Sequence, residues 1–529
     1  MNVREAAFHS LLAVCKDGGY SNIIVSKTIQ KQNFDDRDRR FYTELVYGTL
    51  RTLNYLDHII STVSTRDIKK LDPVCLAILR CGLYQLFFMD KVPPSAACNE
   101  AVKTARRFGN AGMAKFVNAL LRNSLRKKET FTVPTPTEDA ILHLSLTYHQ
   151  PAWLVRKWVK DFGREETTAL CRYFDRVPDL CIRTNTTRTT REALMTLFTQ
   201  KGVPCRCALH APEGIYLEKN PGIRTLTEIA GGLGMIQDEP SQLVAHVVAP
   251  QAGEVIFDVC AAPGGKTTHL AALGGRGCLV YGFDIYEHKL KLIKENARML
   301  GLENIRTVLQ DAVLLGRKYA AKADRVLVDA PCSGLGILRR KPDLRWRKRP
   351  EDLKALPPFQ RQLLESAAKC VKPGGILVYS TCTINEEENG AVVDSFLAAH
   401  AEFKAVPVGD SLGFRQDTPY LCILPQRDGL DGFFIAKTQA FIMLSSDDDA
   451  VPPINGIGYF LALRDHKVPA SLHPGPHRCS CFLYPGIQKR RFHDDDTGHA
   501  AGSAAEAGHR ITGCRMTIST IFVFRLYRW

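Results

Sequence analysis

The chain is 529 residues long, enough for about three domains that each bury a core. Its hydrophobic content of 45% is ordinary for a globular protein, and no apolar run approaches the ~20 residues of a membrane helix, so no membrane span is expected. A formal charge of +15 points to a polyanionic partner, because clustered Lys and Arg bind phosphates.

No basic segment followed by an apolar core opens the sequence. The 17 cysteines are scattered and odd in number, and read as reduced thiols in a cytoplasmic protein. Cys205 and Cys207 with His210, and His477 with Cys479 and Cys481, each supply three candidate ligands at C-x-C or H-x-C spacing. Structural zinc takes four ligands, with a wider cysteine pair, so no metal site is expected.

Residues 1 to 130 read as helical. Apolar residues recur at helical spacing in Ala6-Ala7-Leu11-Val14, Leu45-Val46-Leu50 and Cys75-Leu79-Leu83-Leu86. Ser95 is placed to cap a helix running to Arg107, with Gly109 just past its end. A helix over 112–126 carries Lys115, Arg122 and Arg126, followed by Lys127 and Lys128, which charge alone leaves as a solvated face. This quarter of the chain resembles the NusB family of RNA-binding antitermination factors. The resemblance lies in Asp35 to Phe41, Leu45 to Arg51, and Ala97-Cys98-Asn99-Glu100-Ala101-Val102.

Residues 129–140, rich in Thr and Pro, read as a linker. A helical pair is predicted from Tyr148 to Phe174, with Trp153 and Trp158 in its core. Residues 180–232 alternate like strands, with glycines at the turns, and complete a small α+β insert over 145–232.

The stretch 253–268, GEVIFDVCAAPGGKTT, reads as strand, glycine turn, helix. It is neither GxGxxG nor a P-loop. From there, strands are predicted at 254–260, 278–284, 305–310, 324–329 and 375–381, and helices at 265–273, 287–300, 358–371 and 386–399. A hairpin from Leu421-Cys422-Ile423-Leu424 to Gly432-Phe433-Phe434-Ile435-Ala436 closes the pattern. The alternation predicts a doubly wound, Rossmann-like α/β domain over 233–439. Residues 440–529 show no periodic core and are expected to be disordered.

Ligands of such sheets sit beyond the carboxyl ends of the strands. Those ends carry Cys260 and the glycine loop, Asp284, Asp311, Asp329 before Ala330-Pro331-Cys332, and Ser380-Thr381-Cys382-Thr383. Three acidic ends beside a glycine loop suit a nucleoside. The strand of Cys332 is expected next to the first strand, with that of Cys382 beyond it, so the two thiols should meet. A thiolate that adds to an electron-poor ring carbon activates the neighbouring carbon toward an electrophile. The residues alone do not say which thiol attacks.

Cys260 to Lys266, Asp329 to Gly334 and Ser380 to Thr383 resemble, in order and spacing, the signatures of the Nop2/Sun family of RNA cytosine-5 methyltransferases. With the NusB-like front end, the resemblance narrows to the family's bacterial branch acting on small-subunit (16S) ribosomal RNA. It covers residues 1–438. It implies S-adenosylmethionine as cofactor, held by Cys260, Ala261, Ala262, Pro263, Gly264, Gly265, Lys266, Asp284 (ribose), Asp311 (adenine) and Asp329. It implies Cys382 as the nucleophile at cytosine C6, Cys332 in product release, and Asp329 beside the base. DNA cytosine-5 methyltransferases instead use the cysteine of a Pro-Cys pair, here Pro331-Cys332. Lys266 stays open between pocket charge, phosphate contact and structural support.

The densest basic run, 339–350, follows the fourth strand, and Arg339, Arg340, Lys341, Arg345, Trp346 and Arg347 are expected to touch RNA. The expected partner is unassembled or early small-subunit RNA, met by a monomer. Two core positions depart from the family pattern: Pro240 in Glu239-Pro240-Ser241, and Phe257 where Leu is more usual. The tail departs most. It reads as translation past a disrupted end, with a fused module as the alternative; on the first reading a cut after Lys437 is expected to spare methylation.

Overall fold

The computed structural model describes residues 1–414 and 417–441. The predicted tail, with His477, Cys479 and Cys481, lies outside the described residues.

Seven α-helices form the front of the chain, from Val3–Cys15 to Ala111–Arg126. Local chemistry starts several of them. Asn2, Asp35, Asp72 and Asn110 accept first-turn N–H groups, and Pro73 follows Asp72 at the first helical position. One helix begins two residues earlier than expected. It runs Pro94–Phe108 with no side-chain cap, so Ser95 lies inside it. Leu11, Tyr42, Leu45, Leu79, Leu83 and Leu121 pack into one core. Lys115, Arg122, Arg126 and Lys127 are exposed, whereas Lys128 folds back to Leu86 O at 3.2 Å.

Helices Ala140–Thr147 and Ala152–Asp175 follow; the second is broken at Gly163, whose φ is 80°. Trp158 is buried among Leu154, Leu170 and Phe174, with Trp153 packed alongside. A small antiparallel sheet comes next. Its strands are β1 (Leu180–Thr184), β2 (Cys205–Cys207), β3 (Gly214–Leu217) and β4 (Gly234–Ile236), in the order β2-β3-β1-β4.

The large sheet contains β5 (Val255–Asp258), β6 (Leu279–Asp284), β7 (Ile305–Leu309), β8 (Ala323–Asp329), β9 (Val371–Thr381), β10 (Phe403–Val406), β11 (Leu421–Ile423) and β12 (Phe433–Ala440). Its order is β10-β12-β9-β8-β5-β6-β7, with β11 also on β12. The five strands from β7 to β9 are parallel, and β12 joins β9 antiparallel. Residues alternate between two buried faces, as a sheet covered on both sides requires. Ile256, Val280, Leu327 and Val378 share one core, and Phe257, Phe283, Val326 and Tyr379 the other.

Both departures from the family pattern are absorbed locally. Phe257 packs edge-on against Tyr281, Phe283 and Tyr319. Pro240 lies in the first turn of helix Glu239–Val248, where a missing N–H costs nothing. The chain also departs from expectation at three places. Strand β10 has no counterpart among the predicted strands. The helix predicted from 358 starts at Pro350, whose fixed φ suits a first helical position. A cut after Lys437 would remove Thr438 and Gln439, which pair with both β9 and β10, and Ala440, which pairs with Phe403.

Candidate active site

The glycine loop leaves β5 at Asp258 and enters helix Gly265–Gly274. Gly264 has φ 101°, and a Cβ there would lie 3.1 Å from the Ile293 backbone, so only glycine fits. Asn296 fixes the turn by donating to Pro263 O at 2.8 Å. The helix start is gripped from β1: buried Arg183 donates to Gly265 O at 2.5 Å and to Thr268 Oγ1 at 3.0 Å. No motif marks Arg183 in the sequence.

Asp258 is buried. One carboxylate oxygen accepts from Thr267 Oγ1 at 2.7 Å, and the other has no partner. Burial pushes its carboxyl up to about 7. Burial also raises the Cys260 thiol well above its ordinary range, with Asp258, Asp329 and Asp284 adding to the effect, so Cys260 is no nucleophile.

Asp284 ends β6 and is buried, accepting from Tyr286 N at 3.0 Å, with Lys289 Nζ at 3.9 Å. Asp311 follows β7 and is exposed, capping the turn Ala312–Leu314. Exposed Ile285 follows Asp284, and exposed Leu309 and Leu314 flank Asp311 along the chain. Apolar surface flanked by carboxylates, beside a tight glycine turn, fits the adenosine of S-adenosylmethionine: acids for hydroxyl and amino donors, aliphatic groups for the purine face.

The next two strand ends form a second cluster. Asp329 ends β8 and accepts from Lys266 Nζ at 2.8 Å and Ser380 Oγ at 2.9 Å. Lys266, whose role the sequence leaves open, therefore bridges the glycine loop and this cluster, with its ammonium 5.2 Å from the Phe433 ring centroid. Against burial, Asp329 holds that ammonium above its ordinary range. Beyond Asp329, Cys332 Sγ and Cys382 Sγ stand 3.4 Å apart. The hydrogen bond between them lowers the Cys382 thiol against burial, with Lys341 and Lys266 helping, and raises Cys332, which burial raises further. Either sulfur can donate in this contact.

The basic run makes contacts within the protein. Arg339 donates to Asp431 at 2.6 Å and stacks on Tyr173. Arg340 is shared between Asp431 and Asp238. Arg345 is fully buried and donates to the carbonyls of His149, Phe174 and Leu338. Trp346 Nε1 donates to Leu50 O at 2.6 Å, tying the segment to the front helices. Arg347 lies over Tyr20, 4.0 Å from its centroid. Of the five, Arg345 is fully buried and so is corrected to an internal support, whereas Arg339, Arg340, Trp346 and Arg347 keep part of their surface open beside these contacts. Lys341 is the cation of the run that bears on the cysteine pair.

Cys205 and Cys207 lie beside Met195, and His210 stacks on Phe414. A different trio, Glu213, His246 and His269, brings its ligand atoms within 4.8 Å of one another. The charge of buried Arg183 acts on His269 there and disfavours a further cation.

The sequence matches three family models. These are 16S rRNA methyltransferase RsmB/F over residues 245–439, the NusB family over 1–126, and the RsmF/B-like ferredoxin-like domain over 150–224. It is 38% identical to the "Probable ribosomal RNA small subunit methyltransferase B" of Synechocystis sp., across 83% of this chain and 99% of that protein. It is 33% identical to the ribosomal RNA small subunit methyltransferase B of Vibrio cholerae, across 82% and 97%. The crystal structure of PH0851 superposes with a TM-score of 0.73 at 26% identity, covering 83% of this chain and 99% of that one. Front helices, small sheet and large sheet thus each meet their counterpart in order, and the chain belongs to the RsmB/F family of 16S rRNA methyltransferases, enzymes that use S-adenosylmethionine.

Proposed function

We propose that the protein methylates C5 of a cytosine in 16S ribosomal RNA through a covalent adduct between Cys382 Sγ and C6 of the base. The observation that carries this reading is the pair of thiols, Cys332 and Cys382, 3.4 Å apart beside the Lys266–Asp329 pair. C5 of cytosine is a weak nucleophile. Attack of the Cys382 thiolate at C6 pushes electrons to C5, and S-adenosylmethionine supplies the electrophilic methyl group that C5 takes up. Loss of the C5 proton and expulsion of the Cys382 thiolate then restore the ring. Asp329 faces the same space as an acceptor for the cytosine amino group, oriented by Lys266 and Ser380. The glycine loop, Asp284 and Asp311 hold the cofactor. The base must leave any stack to reach the thiols.

The enzyme works as a monomer, on unassembled or early small-subunit RNA, in the cytoplasm. Every described cysteine is a free thiol, which suits a reducing compartment. No described helix is long and apolar enough to cross a membrane.

Radiolabelled methyl transfer to unmodified small-subunit RNA, with mapping of 5-methylcytosine, tests the reading. Cys382→Ala abolishes transfer and adduct. Cys332→Ala accumulates a denaturant-resistant RNA–protein adduct. An adduct that survives Cys382→Ala would reverse the two assignments, and label at any atom other than C5 would overturn the proposal.

A further inference from the structure

One buried acid joins the two cysteine loops. Glu388 ends the turn Glu386–Glu388 that follows β9, and it is fully buried. One of its carboxylate oxygens accepts the Ser333 backbone N–H at 2.8 Å and the Gln360 amide at 3.1 Å. The other accepts from Asn385 Nδ2 at 3.1 Å. The Gln360 amide also donates to Pro331 O at 2.9 Å. Cys332 is therefore held on both flanks, through the carbonyl before it and the N–H after it. The same turn secures the other loop. The Tyr379 hydroxyl donates to Glu388 O at 2.7 Å, and Asn389 Nδ2 donates to Thr383 O at 3.0 Å. The hydroxyls of Ser333 and Thr383, each one residue past a cysteine, meet at 2.7 Å.

The Glu388 carboxylate is bonded directly, and through Gln360, into the Cys332 loop, whereas the residue's contact with β9 is made by its backbone carbonyl. The carboxylate is among the influences that keep the Cys332 thiol protonated, after the bond to Cys382 and burial. The cations Lys341 and Lys266 act on Cys382. An acid bonded into the loop of one thiol, with Lys341, Asp329 and Lys266 bearing on the other, gives the two sulfurs unlike surroundings.

We propose that Glu388 is a positioning residue that clamps the Cys332 loop against the Cys382 loop and makes Cys332 the proton donor and Cys382 the acceptor of their contact. The role rests on the reading of Cys382 as nucleophile, and it assigns the choice between the two thiols to a residue that touches neither base nor cofactor.

The test uses the full chain without RNA. Limiting iodoacetamide is applied across a pH series, and alkylation of each cysteine is mapped by mass spectrometry. In the unmodified protein Cys382 reacts ahead of Cys332. Glu388→Gln keeps the shape and removes the charge. It narrows the Cys382-to-Cys332 labelling ratio by about tenfold, by moving the Cys332 profile to lower pH. Glu388→Asp keeps the charge and retains most of the preference, which a purely structural role would not. Gln360→Leu, a milder change, shifts the ratio in the same direction and serves if Glu388→Gln does not fold. A ratio unchanged in the folded variants, with Cys382 still labelled first, overturns the role of Glu388 and leaves the nucleophile standing. Labelling of Cys332 first in the unmodified protein overturns both.

Discussion

Asp258 shows how a single side chain sets a pH dependence. Its carboxyl, pushed up to about 7 by burial, is held against an unfolded value near 3.9. Between those values the folded chain keeps a proton that the unfolded chain has lost. Stability therefore falls as pH rises from about 4 to about 7, and levels off above. Asp258→Asn carries no charge at any pH and flattens that slope. Its gain over the unmodified protein grows with pH toward an upper bound of ~4 kcal/mol. Thermal unfolding of the cofactor-free protein at a series of pH values checks this, and parallel profiles for the two proteins would refute it. Asp258 is visible in the sequence as the end of a strand. Its burial and its bond to Thr267 are not, because they become apparent only once the loop is folded.

Between strands, the segment after β8 shows where charge counting fails. A run of cations reads as an RNA surface when no acid stands near it in sequence. Its acids come from far along the chain: Asp431 lies 92 residues past Arg339, and Asp238 pairs with Arg340 from the other side. The carbonyls that take up Arg345 come from the helical pair before the small sheet and from Leu338. Glu388 is hidden in the same way, since Glu386-Glu387-Glu388 reads as the acidic start of a helix. Asp431→Ala measures what the segment rests on. It leaves two largely buried guanidiniums without their shared carboxylate, and its expected cost is about 3–5 kcal/mol. Urea unfolding reads the change directly, and a loss below about 1 kcal/mol would mean that water or Asp238 replaces the acid. By contrast, the cysteine and aspartate positions are legible, because a parallel strand places its last residues at one edge whatever surrounds it.

For the molecule as a whole, sequence order and spatial order part at the end of the large sheet. The strands from β5 to β9 follow from alternating apolar runs and helices, and their adjacency brings Cys332 to Cys382. Strand β10 is short, Phe403-Lys404-Ala405-Val406, with only Phe403 buried, and takes its place by pairing with β12. That pairing decides where the catalytic unit stops. Ala440 sits opposite Phe403, and the Phe441 N–H donates to Glu402 O at 2.7 Å. The family model ends at residue 439, and the Synechocystis relative is matched over 99% of its length within 443 aligned residues. A chain cut after Phe441 keeps every pairing of β12 and is expected to methylate RNA at the full rate. A chain cut after Lys437 loses three ladder positions on β10, exposes the end of β9, and unfolds at lower temperature. Methyl transfer by the two truncated proteins, each normalised to its folded fraction, separates the possibilities. Full activity of the shorter chain would show that β10 is dispensable, and loss of activity in the longer, folded chain would make the residues after Phe441 part of the enzyme.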